Sequence, residues 1–226
     1  LDDVAIWDIE LTSSQVTSLY NNGDMLTANN VSPDDLKAYY NMEGSGSTIV
    51  DQSGNYKDGT ITNASFSSET NIEDLSMKFD ASLVESGNTD DGYVQFPANT
   101  FDFGGEWTMS FWYKDGGVTS GTQRIFSRGY TETDPHEGSA GNAAIGIGFL
   151  NGGSFARNLE FHAREGSGEA AYSNSTITDS DGWQHYVIVR NNNSMDLYVN
   201  SSLDGFYNPI GNIVNNDYQS TDFINR

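Results

Sequence analysis

The chain has 226 residues, 36% of them hydrophobic and 12% aromatic, which is enough for one large all-β domain with a sizeable core. Its formal net charge is −22, from 10 Lys and Arg against 32 Asp and Glu, and this balance argues against nucleic acid or an anionic membrane surface as a partner. The absence of cysteine excludes disulfides and cysteine-based zinc sites or nucleophiles. No apolar run approaches the roughly 18 residues of a membrane span, so we expect no membrane insertion.

The opening segment, residues 1–23, predicts a strand followed by a helix. The apolar run VAIW is typical of a strand, and Thr12 with Gln15 three positions later forms the pattern of a capping box. Gly23 is placed to end a helix of about two turns. This is the one helix for which the sequence carries both a start and a stop signal.

Residues 24–35 are polar and turn-rich and are interpreted as a linker. From Leu36 onward the dominant hydrophobic period is two, which predicts strands in the segments LKAYYNM, LSMKF, WTMSFWYK, LEFHAR, WQHYVIVR and MDLYV. The strands that begin at Trp107 and Trp183 carry large apolar residues on both faces, so we expect them at the centre of a sheet. Many short strands separated by turn clusters predict a sandwich or jelly roll.

The turn DQSGNYKDG is rich in oxygen-bearing side chains. Asp51, Ser53, Asn55 and Asp58 surround a glycine, and hard oxygen ligands on a tight turn are what Ca²⁺ requires. The alternative is an Asx-rich turn in which the same side chains accept hydrogen bonds from backbone N–H groups. The residue pattern leaves both interpretations open.

A polar row follows one face of the predicted strand LEFHAR, where Glu160, His162 and Arg164 alternate with apolar residues. Such a row could contact a sugar, could serve a lyase-like reaction, or could be the solvent-facing side of an amphipathic strand. A retaining glycosidase needs two carboxylates about 5.5 Å apart, and we find no paired-carboxylate motif. We therefore predict no catalytic residue. His185 alternates with apolar neighbours and is interpreted as a packed core histidine.

Four tyrosines, Tyr130, Tyr172, Tyr207 and Tyr218, fall in stretches with a loop-like composition, beside many Asn, Asp and Ser residues. Aromatic rings stack on sugar faces, and the neighbouring polar groups can hydrogen-bond hydroxyls. Loops at one rim of a sandwich are a common place for binding. These tyrosines and the row at 160–164 are therefore the candidate ligand-binding residues.

Several motifs together resemble the laminin G-like domains of the concanavalin A-like lectin/glucanase superfamily. They are LKAYYNMEG with DQSGNYKDGTI, WTMSFWYK followed by RIFSRG, and the hairpin GWQHYVIVRNNNSMDLYVNSS. The opening LDDVAIWDIELTSSQVTSLY is similar to the closing strand and terminal helix of that family, so the motif order is rotated. The resemblance implies an all-β fold, a two-sheet antiparallel jelly-roll sandwich with one short helix after the opening strand.

The rotated order suggests a domain division. Residues 1–23 would be the closing strand and helix of a laminin G-like domain, residues 24–35 a linker, and residues 36–226 a jelly roll that lacks its own final strand. Three possibilities are open for the sandwich that the closing segment completes. It could be that of a preceding repeat, that of this chain, or that of a neighbouring copy that receives the segment by strand donation.

The resemblance also implies a structural Ca²⁺ near the termini, with Glu43, Asp51, Asn55, Asp58 and Asp3 as candidate ligands. We expect a non-catalytic recognition or adhesion module that binds a glycan or other cell-surface ligand. It would lie in a larger repeat protein that is extracellular or on a cell or virion surface. The alternatives are a structural spacer or assembly module of a fibre, filament or capsid, and a glycan-active hydrolase or lyase.

Overall fold

The computed structural model describes residues 1–23, 27–70, 75–79, 92–97, 100–117, 123–128, 144–149, 157–164, 169–178, 180–192, 194–207 and 222–225. At positions 124, 128, 144, 162–164, 169–170, 206–207 and 222–225 it describes the backbone. One α-helix, α1 (Ser13–Tyr20), and three short 3₁₀ turns, Asn21–Gly23, Ala28–Asn30 and Pro33–Asp35, are the helical elements of these residues.

The strands in chain order are β1 (Asp2–Trp7), β2 (Leu36–Tyr40), β3 (Thr48–Ile49), β4 (Gly59–Thr62), β5 (Ala64–Ser67), β6 (Ser76–Phe79), β7 (Tyr93–Phe96) and β8 (Trp107–Lys114). They continue with β9 (Gln123–Arg128), β10 (Ala144–Phe149), β11 (Asn158–Arg164), β12 (Glu169–Thr176), β13 (Trp183–Asn191), β14 (Ser194–Val199), β15 (Ser202–Tyr207) and β16 (Asp222–Asn225).

Two large antiparallel sheets form a sandwich, which confirms the predicted fold class. The first sheet has six strands in the order β15-β14-β13-β8-β1-β2. The second has eight strands in the order β12-β11-β10-β9-β16-β7-β4-β3, and β5 and β6 form a separate pair. The main core lies between the two large sheets, where Trp107, Met109 and Phe111 of β8 pack with apolar residues of the opposite sheet.

The predicted central strands occupy the centre of the six-stranded sheet. β8 lies between β13 and β1, and β13 lies between β14 and β8. Both faces of these strands are largely buried. One face meets the main core, while the other face of β13 meets a second apolar cluster and that of β8 lies against Leu11 and Tyr20. The prediction that Trp107 and Trp183 open central strands is therefore confirmed.

The opening strand β1 lies between β2 and β8 of the same chain, with Val4 paired to Tyr40 and Ile6 paired to Met109. All six of its residues are buried. In this structure the strand thus completes the sheet of its own chain. A strand donated by a neighbouring copy would make the same contacts, so strand donation and the proposed domain division stay predictions.

Helix α1 begins with the predicted capping box, in which Thr12 and Gln15 exchange hydrogen bonds. The helix ends earlier than predicted, because its C-cap is Asn21, which takes the left-handed conformation with φ 43° and ψ 45° two residues before Gly23 does so with φ 94°. Asparagine tolerates that conformation, so the chain passes directly into the 3₁₀ turn at Asn21–Gly23. The Gly23 stop signal was therefore read two residues too late.

A second apolar cluster covers the outer face of the six-stranded sheet. Val16 and Leu19 of α1 pack against Val187 and Val189 of β13. The described part of the predicted linker joins this layer, because Ala28 and Val31 are buried in the same cluster. Residues 27–35 are thus a packed strap over the sheet, held by a hydrogen bond of 2.8 Å from Trp7 Nε1 to Val31 O.

Candidate functional site

The outer face of the eight-stranded sheet carries the predicted polar row. Leu159 and Phe161 of β11 belong to the main core, so Glu160 between them lies on the opposite, outer face. In the antiparallel register Glu160 pairs with Gly148 of β10, and His162 pairs with Gly146. The structure therefore places the row at 160–164 in the sheet that has no helix of the described chain packed on it.

Strand β10 presents a strip of small residues at the middle of this face. Gly146 and Gly148 alternate with Ile145, Ile147 and Phe149, which point into the core. On the other side of the strip, β9 places Ser127 opposite Gly146 and Arg124 opposite Gly148. Glycine within a strand often marks a place where another group approaches the backbone closely. We call Gly146 and Gly148 the glycine floor.

Tyr172 of β12 lies beside Glu160 in register, and its hydroxyl donates to Glu160 Oε1 at 3.4 Å. Glu160 is buried, with 8% of its surface exposed, and Tyr172 is half-buried. Next to the pair, Asn158 Nδ2 donates to Ser173 O at 2.7 Å and fixes β12 against β11. The arrangement offers a carboxylate acceptor and an aromatic ring side by side.

The structure describes two of the four candidate tyrosines, and it places them in different sheets. Tyr172 and Tyr207 lie in strands β12 and β15, so the prediction that they occupy loops is wrong. The inward positions of β12 are Ala171 and Ser173, and such small residues give no apolar alternation that would identify a strand. Tyr207 belongs to the six-stranded sheet, in register with Met195, whereas Tyr172 and the Glu160 row belong to the eight-stranded sheet. Tyr130 and Tyr218 lie outside the described residues.

The turn at residues 51–58, which we call the edge-capping turn, covers the free edge of β2. Tyr39 N donates to Asp51 Oδ1 at 3.0 Å, and Tyr39 O accepts from Gln52 N at 2.7 Å. Asn55 Nδ2 donates to Leu36 O at 2.8 Å. Because β2 is the edge strand of its sheet, these bonds pair backbone groups that would otherwise invite another strand.

Asp51 uses both carboxylate oxygens in this turn. Oδ1 accepts from Ser53 N at 2.9 Å as well as from Tyr39 N, and Oδ2 accepts from Ser53 Oγ at 2.9 Å and from Lys57 N at 3.1 Å. This is the hydrogen-bonding pattern of the Asx-rich turn that the sequence left open as the alternative to a calcium site.

The other proposed metal ligands also contact protein groups. Glu43 Oε1 accepts from Leu75 N at 2.6 Å, Asp58 Oδ1 accepts from Asp51 N at 2.9 Å, and Asp3 Oδ1 accepts from Tyr39 Oη at 2.5 Å. Within the described parts of the chain, no three Asp, Glu, His or Cys side chains come close enough together to hold a metal ion. Calcium binding therefore stays a prediction from the family resemblance.

His185 is a packed histidine, as predicted, on the outer side of β13. It is fully buried, and its Nε2 lies 2.7 Å from Ser110 Oγ, while its ring packs 5.0 Å from the Trp112 ring centroid. Burial lowers the pKa of His185 to about 3, because the protonated ring would lose its hydration. The neutral imidazole is thus a structural group beneath the Tyr20 end of α1.

Two features of the structure have little or no signal in the sequence. Tyr56 at the tip of the edge-capping turn is 91% exposed and has a left-handed φ of 59°. An ion pair joins the buried Asp115 to the half-buried Arg157, beside the 2.7 Å hydrogen bond from Tyr113 Oη to Gln123 Oε1. The exposed tyrosine could have been suspected from its place in a Gly- and Asp-rich turn. The ion pair carries no local signal, because its partners are far apart in sequence.

Comparison with known proteins identifies the family. The family model for the concanavalin A-like lectin/glucanase superfamily matches residues 87–221, more than half of the chain. The chain belongs to this superfamily. The match includes strands β7 to β15, and so contains the Glu160 row, the glycine floor and Tyr172.

Solved structures show the same fold at low sequence identity. Domain 4 of AbnA, a GH43 extracellular arabinanase from Geobacillus stearothermophilus, matches with a TM-score of 0.53 and 15% identity over 77% of this chain and 76% of that domain. The binding domain of botulinum neurotoxin DC matches with a TM-score of 0.52 and 17% identity, over 77% of this chain and 40% of the toxin chain. No curated protein matches the sequence.

The helices of this chain are short. None of the helices among the described residues has the length and apolar character that crossing a membrane requires.

Proposed function

We propose that the chain is a non-catalytic recognition module that binds a glycan on the outer face of its eight-stranded sheet. The observation that carries the proposal is that Glu160 and Tyr172 lie side by side next to the glycine floor, on the face of the sheet opposite to the main core. A sugar presents hydroxyls that need convergent donors and acceptors and a ring face that packs against an aromatic side chain. Glu160 supplies the acceptor and Tyr172 the ring.

The opposite sheet supports this assignment by contrast. The described helical segments pack against the outer face of the six-stranded sheet, where α1 and the strap at residues 27–35 bury its apolar residues. That face is therefore occupied by the chain itself. The described outer positions of β9 to β12 carry Ser127, Glu160 and Tyr172 instead, and no helix of the described residues packs on them.

Two related folds support a glycan as the ligand. The arabinanase domain is described in complex with arabinotriose, and the toxin binding domain in complex with SialylT. Their low identity to this chain means that they support the class of ligand and not its identity or the residues that hold it.

The non-catalytic assignment rests on the carboxylate count. A retaining or inverting glycosidase uses two carboxylates that flank the scissile bond, about 5 to 9.5 Å apart. Among the described outward-facing positions of β9 to β12, Glu160 is the one carboxylate. Reducing-sugar release by the native chain that is lost in Glu160→Gln would replace this proposal with the hydrolase alternative.

The test is binding to a panel of immobilised neutral and acidic glycans, with a matched pair of tyrosine variants. Tyr172→Ala removes the ring beside Glu160, and we expect at least about a tenfold loss of affinity for any glycan that the native chain binds. Tyr56→Ala removes an equally large ring from the exposed edge-capping turn and should leave binding unchanged. Loss in Tyr56→Ala alone would move the site to the other edge of the sandwich.

We also infer that the module works outside the cell or on a cell or virion surface, within a larger protein. The rival role is a structural spacer or assembly module, linked to neighbouring copies through β1. The two roles differ in a sedimentation experiment combined with the glycan panel. A recognition module stays monomeric over a wide concentration range and binds selected glycans, whereas a spacer polymerises with concentration and binds the panel uniformly weakly.

A further inference from the structure

Strand β12 contains a bulge directly after Tyr172. Glu160 of β11 is in register with Tyr172. Two residues earlier on β11, Asn158 is in register with Thr176, so β12 has residues 173–175 where β11 has a single residue. We call residues 173–175 the β12 bulge. A bulge bends its strand and changes the direction of neighbouring side chains, so its geometry affects the direction of the Tyr172 ring.

Two side chains hold the β12 bulge from within its own sheet. Ser173 Oγ accepts from Leu159 N at 2.9 Å and donates to Ser175 O at 2.7 Å. Asn158 Nδ2 donates to Ser173 O at 2.7 Å. Ser173 and Asn158 are both buried, so these bonds fix the side of the bulge that faces β11 and the core.

The other side of the β12 bulge is held by Asp204, a residue of the opposite sheet. Among the described strands, β12 is the last of the eight-stranded sheet, and β15, which carries Asp204, is the last of the six-stranded sheet. Asp204 Oδ2 accepts from Asn174 N at 2.8 Å and from Ser175 N at 2.9 Å, and Oδ1 accepts from Ser175 Oγ at 2.6 Å. Asn174 Nδ2 also donates to Asp204 O. These bonds join the two sheets at this edge.

The contact with Asp204 suits a fixed backbone. Two successive N–H groups that converge on one oxygen form a concavity that binds an anion. Hydrogen bonds to a carboxylate are stronger than bonds between neutral groups, and three of them on one side chain restrict the backbone further. Because β12 pairs with β11 alone among the described strands, the bulge depends on Asp204 for its other side. Without that carboxylate the bulge can move relative to β11, and Tyr172 moves with it.

We infer that Asp204 is a positioning residue of the proposed glycan site, where it fixes the β12 bulge and thereby holds the Tyr172 ring beside Glu160. Its carboxylate acts through Tyr172, because both oxygens are used by Asn174 and Ser175. A ring that is already fixed loses less conformational entropy on binding, so its position contributes to affinity. The inference rests on the proposed glycan-binding function and adds to it a residue of the opposite sheet.

The experiment compares three variants that each remove one negative charge. Asp204→Ala removes the acceptor of three hydrogen bonds. Asp204→Asn keeps an oxygen for the two N–H groups and has an amide that can donate to Ser175 Oγ. Asp181→Ala is the control, because it removes an exposed carboxylate that accepts from Thr178 N at 2.6 Å in the turn between β12 and β13. Circular dichroism melting curves check that each variant is folded.

Affinity is measured for a glycan of the panel above that the native chain binds. We expect Asp204→Ala to lower this affinity about three- to tenfold, because the ring is still present but must be ordered on binding. Asp204→Asn and Asp181→Ala should each bind within about twofold of the native chain, since both leave the β12 bulge held.

Fluorine NMR of the chain labelled with 3-fluorotyrosine observes the ring itself, and Tyr172→Phe assigns the Tyr172 resonance by its absence. This resonance should shift or broaden in Asp204→Ala and should keep its native position in Asp204→Asn and Asp181→Ala. If Asp204→Ala does not fold, Ser175→Ala removes one of the three bonds and should shift the same resonance by a smaller amount.

The possible failures are distinguishable. Unchanged affinity or an unchanged Tyr172 resonance in Asp204→Ala, or in Ser175→Ala where that variant replaces it, would overturn the inference and leave the proposed glycan site in place. Losses in Asp204→Asn or Asp181→Ala as large as that in Asp204→Ala would show an effect of charge and contradict positioning. Binding to no glycan of the panel, or native affinity in Tyr172→Ala, would remove the proposed function itself.

Discussion

The two outer faces of the sandwich differ in polarity, although both are formed by strands whose residues alternate between the core and the outer face. The outer face of the six-stranded sheet presents Val187, Val189 and Tyr198, and α1 with the strap at residues 27–35 seals it. The outer face of the eight-stranded sheet presents Glu160, Tyr172 and the glycine floor. One face contributes stability by burying apolar area, and the other carries polar and small residues where we propose that a ligand binds.

If the polar face binds the glycan as we propose, the fold separates stability from recognition. Substitutions on the sealed face should lower the free energy of unfolding strongly, because they remove buried contacts. Substitutions on the polar face should change binding more than stability. The following predictions test that division, from the largest expected effect to the smallest.

Trp7→Ala should have the largest effect on stability. Trp7 is fully buried in the sealed face and donates a 2.8 Å hydrogen bond to Val31 O, which ties the strap to β1. We expect a loss of about 3–5 kcal/mol in the free energy of unfolding, measured by urea titration. Tyr56→Ala, which removes an exposed ring, should cost less than about 0.5 kcal/mol. A loss below about 1 kcal/mol for Trp7→Ala would mean that the strap does not seal this face.

Asp51→Ala should cost about 2–3 kcal/mol, because it removes the acceptor of the edge-capping turn from four protein donors. It should also increase light scattering at high concentration, since the edge of β2 becomes available to other chains. Asp34→Ala removes the same charge from an exposed position and is the control. Melting curves with calcium and with EDTA test the calcium prediction on the same samples, and a metal site would raise the melting temperature of the native chain only.

His185→Gln should change how stability depends on pH. The folded pKa of about 3 lies below the unfolded value of 6.5, so the unfolded chain binds the proton more readily between these values. Stability from the neutral ring is present above pH 6.5 and is lost as pH falls toward 3, by at most about 1.4 kcal/mol per pH unit. The difference between native and variant unfolding curves at pH 7 and pH 5 measures this slope, and parallel curves would contradict it.

Tyr172→Phe should have only a small effect on stability. The hydroxyl donates a long hydrogen bond of 3.4 Å to Glu160 at a half-buried position, so we expect a cost below about 1 kcal/mol. The ring remains, so glycan affinity should fall less than in Tyr172→Ala. Urea titration and the glycan panel together separate the two effects, and a stability loss as large as that of Trp7→Ala would show that the polar face is also structural.

Local patterns predicted a large part of this fold. The alternation around Trp107 and Trp183 identified the two central strands, and Thr12 with Gln15 identified the start of α1. These features are encoded within a few residues, by periodicity and by side-chain reach. The polar row at Glu160 was found in the same way, because a two-residue alternation marks one face of a strand.

The remaining features depend on contacts between distant residues. The glycine floor becomes visible only when the register sets β10 between β9 and β11. The role of Asp51 depends on the edge of β2, and its pattern alone is equally typical of a metal-binding turn. Tyr172 was misplaced in a loop because β12 faces the core with small residues. The sequence pattern indicates which residues share a face of a strand, whereas the pairing of strands decides which groups those residues contact.

Hydrogen exchange of backbone amides, with and without the bound glycan, tests the central claim most directly. If the outer face of the eight-stranded sheet is the binding site, the glycan slows exchange in β9 to β12, around the glycine floor, and leaves α1 and residues 27–35 unchanged. Protection confined to α1, the strap or the edge-capping turn, with β9 to β12 unaffected, would contradict the assignment.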